Sequence, residues 1–181
     1  PQQLMRRAEG SVALLRDAAT SGTGFMVGEG LLVTCAHVVR PMVPSLMQVI
    51  FPSAGRGEYP VQKILYIDDV RDIAVLSIRT DQPGLDLPES ASPPSRGEEV
   101  LVIGNPGVGP DLIVENAVAR GLMGPEVVIG GSAFFQLSAS VNPGNSGGPV
   151  LRSDGTLIGM VSKKATHQEG MAFAVPMRLI G

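Results

Sequence analysis

Cysteine is nearly absent from this sequence: Cys35 stands alone among 181 residues. No intrachain disulfide is available, so the core must hold without covalent staples. Such usage fits a reducing compartment. Histidine is almost as scarce, with only His37 and His167. A metal site of histidine–cysteine spacing has nothing to be built from, and no metal or cofactor is expected. An excess of one charge is missing too. Fourteen basic against 17 acidic residues leave a net charge of −3, which offers no electrostatic footprint for nucleic acid. No apolar run reaches the ~18 residues of a membrane-spanning helix. No signal-peptide pattern follows Pro1, so an intracellular location is favoured, with a bacterial periplasm as second choice. The chain stops at Gly181 straight after M-R-L-I, and residues 1–181 read as one domain of a longer protein.

What the sequence does have is short runs of Val, Ile and Leu, broken by Gly, Pro, Ser and Asp. In the first half these are 11–16, 24–27, 31–34, 47–51, 61–67 and 73–78. In the second they are 99–103, 112–120, 126–129, 133–137, 156–162 and 171–175. About twelve strands of roughly five residues argue for an all-β fold. A short helix is expected over Q-Q-L-M-R-R-A, and another starting at Pro176, because proline suits a first helical turn. Residues 81–98 hold four prolines and three serines and read as a connector. They divide the chain into halves of about six strands each, 10–80 and 99–176. Two small closed barrels would remove most exposed edges, and a cleft between them is a natural place for a site.

One stretch stands apart: V-N-P-G-N-S-G-G-P, from Val141 to Pro149. Its glycines let the backbone turn tightly and aim consecutive N–H groups at one point. Acyl transfer from a serine needs that arrangement: an exposed hydroxyl beside donors that hold an oxyanion. A tight turn between strands is the plainer reading of the same letters. The serine also needs a base, and a group to orient that base. His37 closes the apolar run L-V-T-C-A-H, whereas His167 sits in a polar loop. Asp72 opens D-I-A-V-L-S-I, with Asp68 and Asp69 as rivals on spacing alone. Each of these signals is weak by itself, and the order His37, Asp72, Ser146 is what joins them.

That order, with its surrounding blocks, resembles the chymotrypsin-fold serine peptidases, and most of all their HtrA/Deg branch. The similar blocks are G-T-G-F-M-V-G-E-G-L-L-V-T-C-A-H-V-V, D-I-A-V-L-S-I, V-L-V-I-G-N-P-G, V-N-P-G-N-S-G-G-P-V-L and G-M-A-F-A-V-P. They run from about Ser11 to Pro176. The resemblance implies two six-stranded antiparallel Greek-key barrels with the site between them. It implies a serine endopeptidase in which Ser146 attacks, His37 carries the proton and Asp72, rather than Asp68 or Asp69, orients the imidazole. The backbone N–H groups of Gly144 and Ser146, with Asn145 between them, would form the oxyanion hole. Pocket walls would come from Ser140, Val141, Asn142 and Pro143, from Ser162, Lys163 and Lys164, and from Met171, Ala172 and Phe173.

Several positions qualify the resemblance. Asn145 stands where trypsin-like zymogens carry an aspartate, so activation by a freshly cut N-terminus is not expected, and control should fall to loop ordering. Ser140 at the pocket bottom carries no charge for an Arg or Lys side chain, and small or medium apolar residues are the first choice. Met171 and Phe173 read equally well as barrel core. Lys163 and Lys164 lie where an extended substrate would add as a strand, or are solvated edge lysines. Cys35 reads as a buried thiol. The expected partner is a protein or peptide bound in extended form, with fused regulatory domains or a homo-oligomer as the open contexts. A proteolytically silent binding or chaperone module is the competing function.

Overall fold

The structure, a computed structural model, describes residues 2–55, 57–85, 94–105, 107–109, 112–113, 115–139, 145–162 and 172–180. The first half starts with helix α1 (Gln2–Glu9), then β1 (Val12–Arg16), β2 (Ser21–Gly28) and β3 (Leu31–Thr34). A single helical turn, α2 (Ala36–Val39), follows, then β4 (Gln48–Phe51), β5 (Gly57–Pro60), β6 (Lys63–Asp68) and β7 (Ile73–Ser77). The second half contains β8 (Glu99–Gly104), the small pair β9 (Gly107–Gly109) and β10 (Leu112–Ile113), then β11 (Ala117–Ile129) and β12 (Ser132–Ala139). It ends with β13 (Pro149–Arg152), β14 (Leu157–Ser162), β15 (Ala172–Pro176) and the 3-10 turn Met177–Leu179.

The first half is a seven-stranded antiparallel sheet in the order β5-β4-β1-β2-β3-β7-β6. Its two edge strands are neighbours in sequence, separated only by Val61 and Gln62. Three Cα steps reach at most about 11 Å, whereas seven strands laid flat would span about 29 Å. The sheet must therefore curl to bring these two strand ends together. Among the described residues no ladder of hydrogen bonds joins β5 to β6, so this half is a curled half-barrel whose edge strands are linked by the chain. The expectation of six strands here falls one short because G-E-Y-P of β5 carries no apolar run. Gly22 helps to set the next element in place: a Cβ there would come within 2.5 Å of Val38 Cγ1, so only glycine lets α2 lie this close to β2.

The second half closes by hydrogen bonds into a six-stranded barrel, β11-β12-β15-β14-β13-β8, with β8 returning to β11. The sequence pattern breaks β11 into two runs at G-L-M-G-P. In the structure it is one strand that pairs first with β8 and then with β12, with a register shift between Met123 and Glu126. Pro125 donates no ladder hydrogen bond and sits in that irregularity, as a strand proline must. On β8, Val100 and Val102 face the barrel interior, while Ile103 turns into the larger core shared with the first half. That alternation is the period-two geometry of a strand. Phe25, Phe51 and Phe134 fill the shared core, so the two halves are docked by apolar burial.

The β1–β2 turn carries its own pH dependence. Asp17 accepts hydrogen bonds from the N–H groups of Ala19 (2.9 Å) and Thr20 (2.8 Å) and from Val43 N–H (3.0 Å). These donors, Ala19 foremost, hold its carboxyl at about 2 against an ordinary 3.8. A depressed acid contributes stability above its unfolded value and loses it as pH falls through the folded one. Asp17→Asn is therefore expected to flatten the stability profile between pH 3.8 and about 2. Urea unfolding across that range, compared with wild type, reads the change in slope.

Candidate active site

His37 arrives by way of β3. The strand ends at Thr34, Cys35 stays extended, and the chain turns into α2. Ala36, Val38 and Val39 are buried on this turn, while the His37 side chain is 35% exposed. The sequence places His37 at the end of a strand; the structure places it one residue into the helical turn that follows. Asp72 lies just before β7. It is 1% exposed and adopts a left-handed backbone, with φ of 61°. Such a conformation costs a non-glycine residue about 1–3 kcal/mol and persists only where its surroundings enforce it.

Three donors enforce it here. Asp72 Oδ1 lies 2.6 Å from His37 Nδ1 and accepts the His37 backbone N–H at 3.1 Å. Oδ2 accepts the Ser162 hydroxyl at 2.6 Å. A carboxylate can only accept, so in this pairing the proton between the two lies on His37 Nδ1, which leaves Nε2 of a neutral ring as an acceptor. The rival acids are engaged elsewhere. Asp68 caps the N–H groups of Val70 and Arg71. Arg71 N–H leads the contacts that hold its carboxyl below the ordinary range. Asp69 takes both Nε (3.0 Å) and a terminal nitrogen (2.6 Å) of Arg40.

Ser146 is 8% exposed and sits in the turn that leads into β13. Gly148 N–H closes this turn on the Asn145 carbonyl at 3.0 Å. The peptide unit after Ser146 is held at both ends. Its carbonyl accepts Thr23 N–H from β2 at 3.0 Å, and its N–H, that of Gly147, donates to the Val161 carbonyl at 2.8 Å. The same Val161 carbonyl accepts Cys35 Sγ at 3.0 Å. One oxygen on β14 thus fastens both the serine turn and the approach to His37, and the next residue, Ser162, binds Asp72. Among the described residues, Ser146 N–H and Oγ meet no hydrogen-bond partner, nor does His37 Nε2. Catalytic hydrogen bonds are often long in a site without substrate and tighten when it binds.

Gly147 has φ of 92°, and a Cβ there would overlap the Thr23 carbonyl oxygen and lie 2.6 Å from Thr34 Oγ1. Gly147→Ala is expected to cost about 3 kcal/mol or more, from left-handed strain and overpacking together. Urea denaturation checks this, and an unfolding midpoint equal to wild type would contradict the geometry.

Other residues singled out by sequence land as follows. Ala172 is fully buried on β15, opposite Leu137. Phe173, opposite Ser162, packs against the shared core. Ser140, Val141, Asn142, Pro143, Gly144, Lys163, Lys164 and Met171 lie outside the described residues, as does His167. Sequence reading gave Ser162 to the substrate pocket and missed its hydroxyl on Asp72; nothing in the letters V-S-K-K points there. It also passed over Thr23 and Asn105, whose side chains are wholly buried. Among the described residues, no group of three His, Cys, Asp or Glu side chains is placed to hold a metal ion. No helix among them is long and apolar enough to cross a membrane.

A family model described as a trypsin-like peptidase domain matches residues 22–160, which span His37, Asp72 and Ser146. The chain belongs to the trypsin-like peptidase family. Its relatives within that family are serine proteases of HtrA type. Mitochondrial serine protease HTRA2 of Bos taurus is 35% identical over 165 residues, covering 87% of this chain and 34% of that protein. Serine endoprotease DegS of Haemophilus influenzae is 38% identical over 165 residues, covering 86% of this chain and 46% of that protein. The crystal structure of the serine endoprotease from Yersinia pestis superposes with a TM-score of 0.82 at 29% identity, over 99% of this chain and 63% of that one. The double-barrel fold of this trypsin-like peptidase is thus shared with a solved serine endoprotease. The chain spans about a third of the length of HTRA2 and of the human serine protease HTRA4.

Proposed function

We propose that this domain is a serine endopeptidase that works through Ser146, His37 and Asp72. Ser146 Oγ attacks the scissile carbonyl carbon as His37 Nε2 takes its proton. The carbonyl oxygen becomes an oxyanion, received by the N–H groups of Gly144 and Ser146 on either side of Asn145. Collapse of the tetrahedral adduct breaks the C–N bond, and the imidazolium returns the proton to the leaving amine. Water then attacks the acyl-enzyme by the same route in reverse. Asp72 holds the productive tautomer and stabilises the imidazolium.

The observation that carries this reading is the buried Asp72 carboxylate, donated to by His37 at 2.6 Å and by Ser162 at 2.6 Å. The strand that supplies Ser162 also anchors the Ser146 turn through Val161. The Ser146 N–H, bonded to no acceptor among the described residues, is the kind of donor an oxyanion requires. The substrate is an extended protein segment that adds as a strand beside Ser162, Lys163 and Lys164. A small or medium apolar side chain fills a pocket bounded by Ser140 to Pro143 and by Met171, Ala172 and Phe173. The uncharged Asn145 has no ion pair to offer a new N-terminus, so the domain needs no such cleavage to become active. Reaction with a fluorophosphonate probe, followed by peptide mapping, tests the assignment: the label belongs on Ser146, and label on any other residue removes it.

A further inference from the structure

Thr23 is the junction of a buried polar cluster that the reaction scheme does not use. Its side chain, like those of Thr34 and Asn105, is wholly buried. Its N–H donates to the Ser146 carbonyl at 3.0 Å. Its own carbonyl accepts the Thr34 hydroxyl at 2.7 Å. Its hydroxyl oxygen accepts both the backbone N–H of Asn105 at 3.0 Å and the Asn105 side-chain amide at 3.3 Å. The Asn105 amide also donates to the Ala13 carbonyl at 3.3 Å, and its oxygen accepts Asn116 N–H at 2.8 Å.

Three segments therefore meet at one residue. Thr34 ends the strand that leads to His37, Asn105 follows β8 of the second barrel, and Ser146 is the nucleophile of the reading above. Buried hydroxyls and amides are retained in a core only where each finds partners. Hydrogen bonds that converge on one buried residue in this way favour one geometry over others. The peptide after Ser146 has two anchors, Val161 on its own barrel and Thr23 on the other. Only the Thr23 anchor spans the two barrels, and the side chain that stiffens it is bound to Asn105.

We infer that Thr23, with Asn105 and Thr34 behind it, is a positioning residue that aims the Ser146 turn at His37 across the barrel interface. The inference rests on Ser146 being the nucleophile. It places the effect on the rate of bond making rather than on substrate binding, because none of the three side chains reaches the surface.

The test uses the purified domain and a fluorophosphonate probe, reading the inactivation rate constant and the probe's dissociation constant separately. Thr23→Val keeps the shape and removes the hydroxyl. Its inactivation rate constant is expected to fall about tenfold, the rate equivalent of one buried hydrogen bond, while the dissociation constant stays within about twofold, the uniform-binding pattern being absent. Thr23→Ser restores the hydroxyl and the rate. Thr34→Val, which removes a different bond to the same residue, repeats the effect and serves if Thr23→Val does not fold. Val49→Ala, in the core of the first sheet, is the control for a plain loss of stability. A Thr23→Val protein that reacts at the wild-type rate, or no faster a loss than Val49→Ala at equal stability, overturns the positioning role. Wild-type protein that takes up no probe at Ser146 instead overturns the nucleophile assignment, and the positioning role falls with it.

Discussion

Ser146→Ala is expected to lower peptide-bond turnover about a millionfold, the loss seen when a serine protease is stripped of its nucleophile. Alanine removes only Oγ. The contacts that hold the turn are backbone ones, from Thr23, Val161 and Asn145, so the variant should fold with its oxyanion donors in place. The small remaining rate comes from those donors and from substrate binding. Hydrolysis of fluorescently labelled casein by wild type and variant measures the ratio. Fluorophosphonate labelling should vanish in parallel, while thermal unfolding stays close to wild type. Equal casein hydrolysis by both proteins, each freed of trace proteases by two unrelated columns, would sink the mechanism.

The second large effect is expected at Asp72. Asp72→Asn should reduce kcat about 10⁴-fold, a loss that arises from the wrong imidazole tautomer rather than from lost geometry. Asparagine fits the site. It tolerates the left-handed backbone found here better than most residues do, and its amide oxygen can still accept one of the present donors. Its NH₂ group, turned towards His37 Nδ1, moves the ring proton to Nε2. On the proposed scheme, Nε2 is then a donor and can no longer take the serine proton. The readouts are kcat on a peptide substrate and the NMR signal of the ring N–H proton, which should leave its position on Nδ1. A variant within tenfold of wild type would remove Asp72 from the mechanism. Asp68→Asn and Asp69→Asn serve as comparisons, since those acids serve a turn and Arg40.

Much of this architecture is legible in the letters, for a physical reason. Strands such as L-L-V-T and I-A-V-L-S announce themselves because buried β-strands must be apolar. The glycine pair after Ser146 is legible because φ of 92° at Gly147 admits almost nothing else. What escapes is what depends on long-range partners. G-E-Y-P gives no sign of being a strand, since its place comes from pairing with β4. β11 reads as two runs because a proline at a register shift looks like a terminator. Thr23 and Ser162 read as ordinary polar strand residues. Their importance lies in contacts with Asn105, 82 positions away, and with Asp72, 90 positions away. Asp72 likewise stands apart from its two neighbours only through the family resemblance, because spacing alone does not separate three aspartates within five residues.

The division of the groups between the two barrels has a consequence for the life of the chain. His37 and Asp72 come from the half that leaves the ribosome first; Ser146 and Ser162 come from the half that leaves last. Domains generally fold in that order during synthesis. On the proposed scheme, a nascent chain with only its first half made holds a base without a nucleophile. Cutting power on that scheme needs both halves docked, and a chain with only its first half folded lacks it.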